Sequence, residues 1–138
     1  STRKEQIRVL VDAAGEGDVH AFTGFAANLE VIDGKDDRYP YYTALMRASH
    51  RGHTAIVQLL LNYGALVDIH DNDGETALMH ASSHGHTPYR TATVGHGALV
   101  DLQDNNGWTA LMHASIYGHT AIVQLLLDHG ALVDIQRS

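Results

Sequence analysis

The chain contains no cysteine, so disulfides and thiolate metal sites are excluded and the redox compartment stays open. Basic residues are few: 9 Lys and Arg stand against 16 Asp and Glu, a formal charge of −7. That balance argues against a dedicated nucleic-acid surface or an anionic-membrane surface. The argument weakens in acid, because 11 histidines with ordinary pKa values near 6.5 could reverse the sign of the molecule if most were free to protonate. No apolar run approaches the length of a membrane span, and Ser1-Thr-Arg-Lys-Glu5 has no signal-peptide hydrophobic region. A soluble intracellular protein, cytoplasmic or nuclear, is the expectation. Catalytic signatures are missing as well: there is no glycine-rich phosphate loop, nucleophile elbow or His-Glu-x-x-His run. Neither an enzyme nor a cofactor is expected.

What the chain does have is repetition. His53-Thr-Ala-Ile-Val-Gln-Leu-Leu-Leu-Asn-Tyr-Gly-Ala-Leu-Val-Asp68 returns almost unchanged from His119 to Asp134, 66 residues later, which is twice 33. Half that distance lands on Gly85-His86-Thr87 and Gly97-Ala98-Leu99-Val100-Asp101. Thr43-Ala-Leu-Met46, Thr76-Ala-Leu-Met79 and Thr109-Ala-Leu-Met112 repeat in step, each closed by a glycine, Gly52, Gly85 or Gly118. Self-similarity at this period signals a solenoid whose core is buried between neighbouring units.

Ahead of the repeats, residues 4 to 14 place apolar side chains at helical spacing, and Gly15-Glu-Gly-Asp18 is expected to stop that helix. A second short helix is expected over Val19 to Leu29, with Val19, Phe22, Phe25, Ala26 and Leu29 on one side. Glu5, Arg8, Asp12 and Glu16 give the first helix a polar outer face, which suits a terminal cap. The loop that follows holds two residues more than the 33-residue register, and Pro40-Tyr41 replaces the Asp73-Gly74 and Asn106-Gly107 of later turns. The first turn must be built differently.

Each later unit follows one plan: a glycine turn, a Thr able to cap a helix, a short helix, Gly-His-Thr, a second helix, then Gly-Ala. Helices this short do not hold alone in water, so each depends on stacking a stripe such as Ile122, Val123, Leu126 and Leu127 on its neighbours. Asp71-Asn-Asp-Gly-Glu-Thr-Ala-Leu-Met-His-Ala-Ser-Ser-His-Gly-His86 and Gly107-Trp-Thr-Ala-Leu-Met-His-Ala-Ser-Ile-Tyr-Gly-His-Thr-Ala-Ile-Val-Gln-Leu-Leu-Leu-Asp-His-Gly-Ala131 resemble ankyrin repeats. The resemblance covers residues 36 to 134, and extends into the cap through Ala13-Ala14 and Gly17-Asp18. It implies an all-α repeat solenoid of helix-turn-helix units with β-hairpin fingers and a concave binding face. The units would be a cap at 1–35, repeats at 36–68, 69–101 and 102–134, and the start of a further repeat at 135–138. Two departures stand out. The family's Thr-Pro-Leu-His reads Thr-Ala-Leu-Met here, and His80 and His113 sit one place later and do not automatically inherit that histidine's role.

The repeat at 69–101 has an atypical second helix. Pro88-Tyr-Arg-Thr-Ala-Thr-Val-Gly-His96 replaces the apolar run of its sisters, and Arg90, Thr91, Thr93 and Gly95 should weaken it, Gly95 by roughly 1 kcal/mol. Pro88 falls near the first turn, where its missing N–H is harmless. Arg90 to His96 can be encoded CGT ACA GCT ACT GTT GGA CAT, and reading from the second base gives Val-Gln-Leu-Leu-Leu-Asp, the sequence of residues 123 to 128. A pair of compensating frame slips would account for that, and the coding DNA would test it. This unit is expected to be the least stable.

Recurring residues read as scaffold. His53, His86 and His119 are expected from the resemblance to bond adjacent loops, Asp68, Asp101 and Asp134 to act as turn acceptors, and Met46, Met79 and Met112 to lie in the core. His80 and His84 have a spacing able to hold a metal, but no further ligand is specified and a packed or solvated helix face is favoured. Residues that vary inside the constant frame are the candidates for partner binding. By match to the family pattern these are Tyr39, Pro40 and Tyr42, Asn72, Asp73 and Glu75, and Asn105, Asn106 and Trp108 on the fingers. On the inner helices they are His50 and Arg51, Ser83 and His84, and Ile116 and Tyr117. They form a track with aromatic ends and a polar, acidic middle; Trp108, Tyr42 and Tyr117 are hot-spot types, although Trp108 could equally cover its neighbouring finger. Arg47, Arg51, His80, His84 and His113 are expected to add a cationic stripe.

The expected function is a protein-interaction scaffold for a protein or peptide. Alternatives are a regulatory domain of a larger enzyme or channel, or a pH- or metal-responsive binder using the histidines. With no polar terminal repeat to cover Leu125 and Leu126, further repeats or self-association through that edge are expected.

Overall fold

The computed structural model describes residues 2–25, 29–86 and 93–136. Its helices are α1 (Arg3–Glu16), α2 (Val19–Phe25), α3 (Ala44–Arg51), α4 (Thr54–Asn62), α5 (Ala77–His84), α6 (Ala110–Ile116) and α7 (Thr120–Asp128), with a 3-10 turn at Leu29–Val31. Helices α1, α3, α5 and α6 pack in that order as one row, while α2, α4 and α7 pack against α1, α3 and α6. The result is an all-α repeat stack.

Caps set the helix limits. The hydroxyl oxygens of Thr43, Thr76 and Thr109 accept the backbone N–H of Met46, Met79 and Met112, satisfying a donor that the first turn would otherwise strand. Gly52 and Gly85 end α3 and α5 in the left-handed conformation. Helix α1 runs two residues past the expected end, through Gly15 to Glu16, because the left-handed residue that stops it is Gly17. Helix α2 is described over Val19–Phe25, and the expected continuation over residues 26–28 lies outside the described residues; Val19 is exposed while Phe22 is fully buried. The side chain of Phe25 and residue Ala26 lie outside the described set.

The apolar stripes go where their spacing sends them. Ile56, Val57, Leu60 and Leu61 of α4 are buried against Leu45 and Met46 of α3, each large side chain contributing about 1.5–3 kcal/mol of burial. Ile122 and Leu126 of α7 occupy the equivalent places beside Leu111 and Ala114. The alanines Ala48, Ala81 and Ala114 are fully buried; their small side chains let neighbouring inner helices approach closely. Met46 and Met79 are core residues as expected, whereas Met112 is only partly buried. Leu126 is not part of an uncovered edge: one turn beyond Ile122, it faces inward and is fully buried, and the exposed apolar side chains there are Leu127, Leu132 and Val133.

Thr93 is buried at the place that Leu60 and Leu126 hold in the sister helices, and residues 93–95 are helical. Pro88, Arg90 and Thr91, on which the expected weakening also rests, lie outside the described residues.

The hairpin fingers are reduced to tight turns. Among the described residues there is one isolated antiparallel bridge, His70 with Thr76, and no strand ladder. Each turn is closed instead by a buried aspartate. Asp71 Oδ1 accepts the N–H of Asp73 and Glu75, and Asp104 Oδ1 accepts those of Asn106 and Trp108. The first turn is indeed built differently. Asp36 takes the corresponding role, accepting the N–H and guanidinium of Arg38, and Tyr41 adopts φ 70° where later turns use Gly74 and Gly107.

Candidate functional site

Two ladders fix the units against one another and so set the surface they present. The ring N–H groups of His53, His86 and His119 donate to the carbonyls of Gly15, His50 and Ser83 at 3.0, 3.2 and 3.0 Å. Those carbonyls belong to the ends of α1, α3 and α5, where helical geometry leaves acceptors without partners. The carboxylates of Asp33, Asp68 and Asp101 accept the N–H of Leu66, Leu99 and Leu132 at 2.9–3.0 Å. Asp68 and Asp101 are therefore turn acceptors for the following turn rather than their own. Asp33 belongs to the same series, 35 residues before Asp68; the two-residue insertion hid it.

The turn tips are tied in the same direction. Asn72 N–H donates to Pro40 O at 2.9 Å, and Asn105 N–H to Asp73 O at 3.0 Å. Asn105 also donates its side-chain amide to Asn72 O, and Tyr39 hydroxyl donates to Asp73 Oδ1, both at 2.9 Å. Four of the expected contact residues, Tyr39, Asn72, Asp73 and Asn105, thus bond to a neighbouring tip while remaining exposed. Asn106 is exposed, and Glu75 and Trp108 are partly buried.

On the inner helices, Arg51 and His84 are exposed, as are Ile116 at 61% and Tyr117 at 62%; Ser83 and His50 are partly covered. Trp108, Met112, Ser115 and Ile116 line an open recess of about 360 Å³. The Trp108 ring lies 5.4 Å from that of His113, so the indole both covers its own unit and walls the recess.

The centre of the face is a packed group of rings. Tyr42 meets His80 edge-on at 4.9 Å, and His50 lies 4.1 Å from His84 and 5.4 Å from His80. Burial, then the neighbouring His84 and His80, push His50 down to about 4. Burial also lowers His86, against the bond it makes to His50, and raises Tyr42 to about 12. The expected cationic stripe is not formed as drawn. His80 is only 3% exposed and turned inward, its Nε2 donating to Asp71 Oδ2 at 2.9 Å; His113 does the same with Asp104 Oδ2, also at 2.9 Å. The signal for these pairs was in the sequence: an aspartate nine residues before a histidine, twice, 33 residues apart.

Between the pairs lies Glu75. Its Oε1 is 3.9 Å from His80 Nε2 and its Oε2 is 3.5 Å from His113 Nε2. Asp71, Glu75 and His80, and likewise Glu75, Asp104 and His113, place one possible metal-ligand atom each within 4.8 Å of one another. His84, the partner suggested for His80 by spacing, instead donates Nδ1 to the His80 carbonyl at 2.9 Å. Burial raises Glu75, partly offset by the two histidines. The bonds from His80 and the turn N–H groups hold Asp71 low despite burial, which acts the other way.

Among the described residues no helix is long and apolar enough to cross a membrane. No curated protein matches the chain significantly. The family description "Ankyrin repeats (3 copies)" matches it twice, over residues 10–91 and 45–137. With recurring Thr caps, histidine ladder and stacked helix pairs accompanying a match over most of its length, the chain belongs to the ankyrin-repeat family.

Proposed function

We propose that the chain binds a protein or peptide along the face made by its turn tips and inner helices, with an apolar anchor seated at the α6 end. Ankyrin repeats are in general protein-interaction modules without catalysis, and the family accounts for the coarse reading. The observation that supports the finer one is the Trp108–Met112–Ser115–Ile116 recess with Ile116 and Tyr117 exposed beside it. Large apolar and aromatic groups gathered in an open recess are what an interface core uses, and polar neighbours make its rim. Tyr39, Tyr42, Asn72, Asp73, Glu75, Asn105 and Asn106 supply that rim from the turns, Arg51 and His84 from the helices. The chain acts in this reading as a scaffold inside the cell, not as an enzyme. Residues 36–68, 69–101 and 102–134 are its repeats, 1–35 its cap and 135–138 the start of another; the cross-turn bonds recurring near 33 residues support this division.

The test is a peptide-display selection on the folded chain, followed by affinities for the selected peptides with Ile116→Ser and Tyr117→Ser introduced together. Both side chains are exposed, so circular dichroism should not change. A loss of tenfold or more supports the reading. Undiminished affinity overturns the placement of the face.

A further inference from the structure

The buried carboxylate that closes the first turn, Asp36, has a built-in cation: the Arg38 guanidinium bonds to it and to Asp12. The next two turns are made differently. Asp71, Glu75 and Asp104 bring three carboxylates to one place, with side-chain exposures of 1%, 25% and 4%. The opposing groups are two imidazoles, His80 and His113, at 3% and 13% exposure. Neither lysine nor arginine is among the principal charges acting on Glu75; these are His80, His113, Asp71 and Asp104. Three carboxylates mostly removed from water need positive charge close by.

The spacing also suits a metal. Zinc-class ions hold imidazole nitrogen and carboxylate oxygen at about 2.0–2.2 Å, so adjacent ligand atoms of a tetrahedral site stand about 3.3 Å apart. Here the nitrogen–oxygen separations are 2.9, 3.9, 3.5 and 2.9 Å in sequence from Asp71 through His80, Glu75 and His113 to Asp104. The Glu75 carboxylate offers one oxygen to each half, and neither separation is an ordinary hydrogen bond. A ligating histidine usually donates its other ring N–H to an outer partner. His80 has such a neighbour: its Nδ1 lies 3.4 Å from His50 Nδ1, which is itself 3.4 Å from the Tyr42 hydroxyl. That group does not contact the carboxylates through these atoms; it is a separate feature that fits ligation through Nε2.

We propose that Asp71, Glu75, His80, Asp104 and His113 form a zinc-class divalent-cation site centred on Glu75. One half is Asp71 and His80 with Glu75 Oε1, and the other is Asp104 and His113 with Glu75 Oε2. On binding, each ligating histidine becomes its Nδ1–H tautomer: the proton it now shares with its aspartate leaves Nε2 for Nδ1, which in His80 faces His50, and the freed Nε2 lone pair holds the ion. Mixed imidazole and carboxylate donors favour zinc and its neighbours over calcium or magnesium. An ion in the second half would tie the turn before α5 to the turn before α6, and Glu75, the most exposed ligand, gives it a route in from solvent. The site shares Glu75 with the proposed partner-binding rim but rests on its own observations, and its test uses the ion alone.

The experiment is calorimetric titration of the full chain with Zn2+ at neutral pH in two buffers of different ionisation enthalpy. Visible absorption with Co2+ reports coordination. Binding with a Kd of about 10 μM or tighter is expected, with little difference in heat between the buffers because each imidazole keeps its proton on the other nitrogen. Glu75→Gln should weaken it at least tenfold, while His84→Ala and His20→Ala should not. Zn2+ binding that is absent, or that Glu75→Gln leaves unchanged, overturns the proposal, since scattered surface histidines would explain what remains. If Glu75→Gln fails to fold, the wild-type imidazole resonances decide. Zn2+ must shift His80 and His113 before any other histidine, and any other order overturns it.

Discussion

His86 donates its Nε2–H to the carbonyl of His50 at 3.2 Å, and the same ring covers Gly52, where an added Cβ would stand 2.7 Å from His86 Cε1. One imidazole therefore satisfies the end of α3 and requires a glycine beside it.

Gly52→Ala should accordingly be among the most damaging single-methyl changes in the chain. It meets both the ring and a φ of 82°, and a loss of about 2 kcal/mol in urea unfolding is expected. Gly24→Ala, where a Cβ meets nothing within 4 Å among the described residues, should cost no stability.

Ser49 and Ser82 are fully buried, and among the described residues their hydroxyls have no hydrogen-bond partner, whereas the equivalent Ser115 donates to Leu111 O at 2.7 Å. Ser82→Ala and Ser49→Ala should each stabilise by about 1 kcal/mol, because an unsatisfied buried hydroxyl is removed. Ser115→Ala should be neutral or slightly destabilising. Thermal melts of the three variants check the contrast.

Acid should destabilise the fold in a defined window. His50 titrates near 4 in the folded chain and near 6.5 when unfolded, so between those values the unfolded chain binds more protons. Stability is full above about pH 6.5 and falls as pH falls toward 4; His86 contributes with the same sign. Tyr42, Arg47, Arg51, His80 and His84 are the groups that face or act on His50. Its partial exposure reduces the effect to about 1–2 kcal/mol. Asp36 adds a further loss at lower pH. Burial would raise it, but the Arg38 bonds hold it below its ordinary value, so its contribution disappears as pH falls through the carboxylate range. Urea midpoints at pH 7.5, 6 and 5 should decline in order, and His50→Gln should flatten the decline.

Replacing residues 88–95 with the sequence of residues 121–128 should stabilise the chain by about 2 kcal/mol or more. Leucine then returns to position 93, which is fully buried and corresponds to Leu60 and Leu126, and Gly95 is removed from a helical segment. A lower urea midpoint in the swapped chain would show that this unit packs its second helix in a way its sisters do not.

The repeat period made most of the architecture legible. Threonine caps, the histidine ladder and the inward stripe of α4 all follow from residues that recur in register. What escaped was either out of register or dependent on three dimensions. Asp33 belongs to a ladder whose other members are spaced by 33, but the inserted residues displaced it. His80 reads on a helical wheel as a partner of His84 or part of a charged stripe; only the folded turn brings Asp71, nine residues earlier, against its ring. Among the candidate contact residues, exposure of Ile116 and Tyr117 agrees with their place on the varying track. The use of Asn105 and Tyr39 between tips could not be read from a chain whose turns had not yet been stacked.

The aspartate ladder has a consequence for how such a chain assembles. Asp33 to Leu66, Asp68 to Leu99 and Asp101 to Leu132 are stitches of 33, 31 and 31 residues. The histidine stitches span 38, 36 and 36. Each closes a loop of nearly constant length onto the turn before it, so the entropy of closure is about the same at every step. Adding repeats would add stitches without lengthening any of them. Assembly can then proceed like a zip, its speed per tooth set by one local closure rather than by the size of the whole.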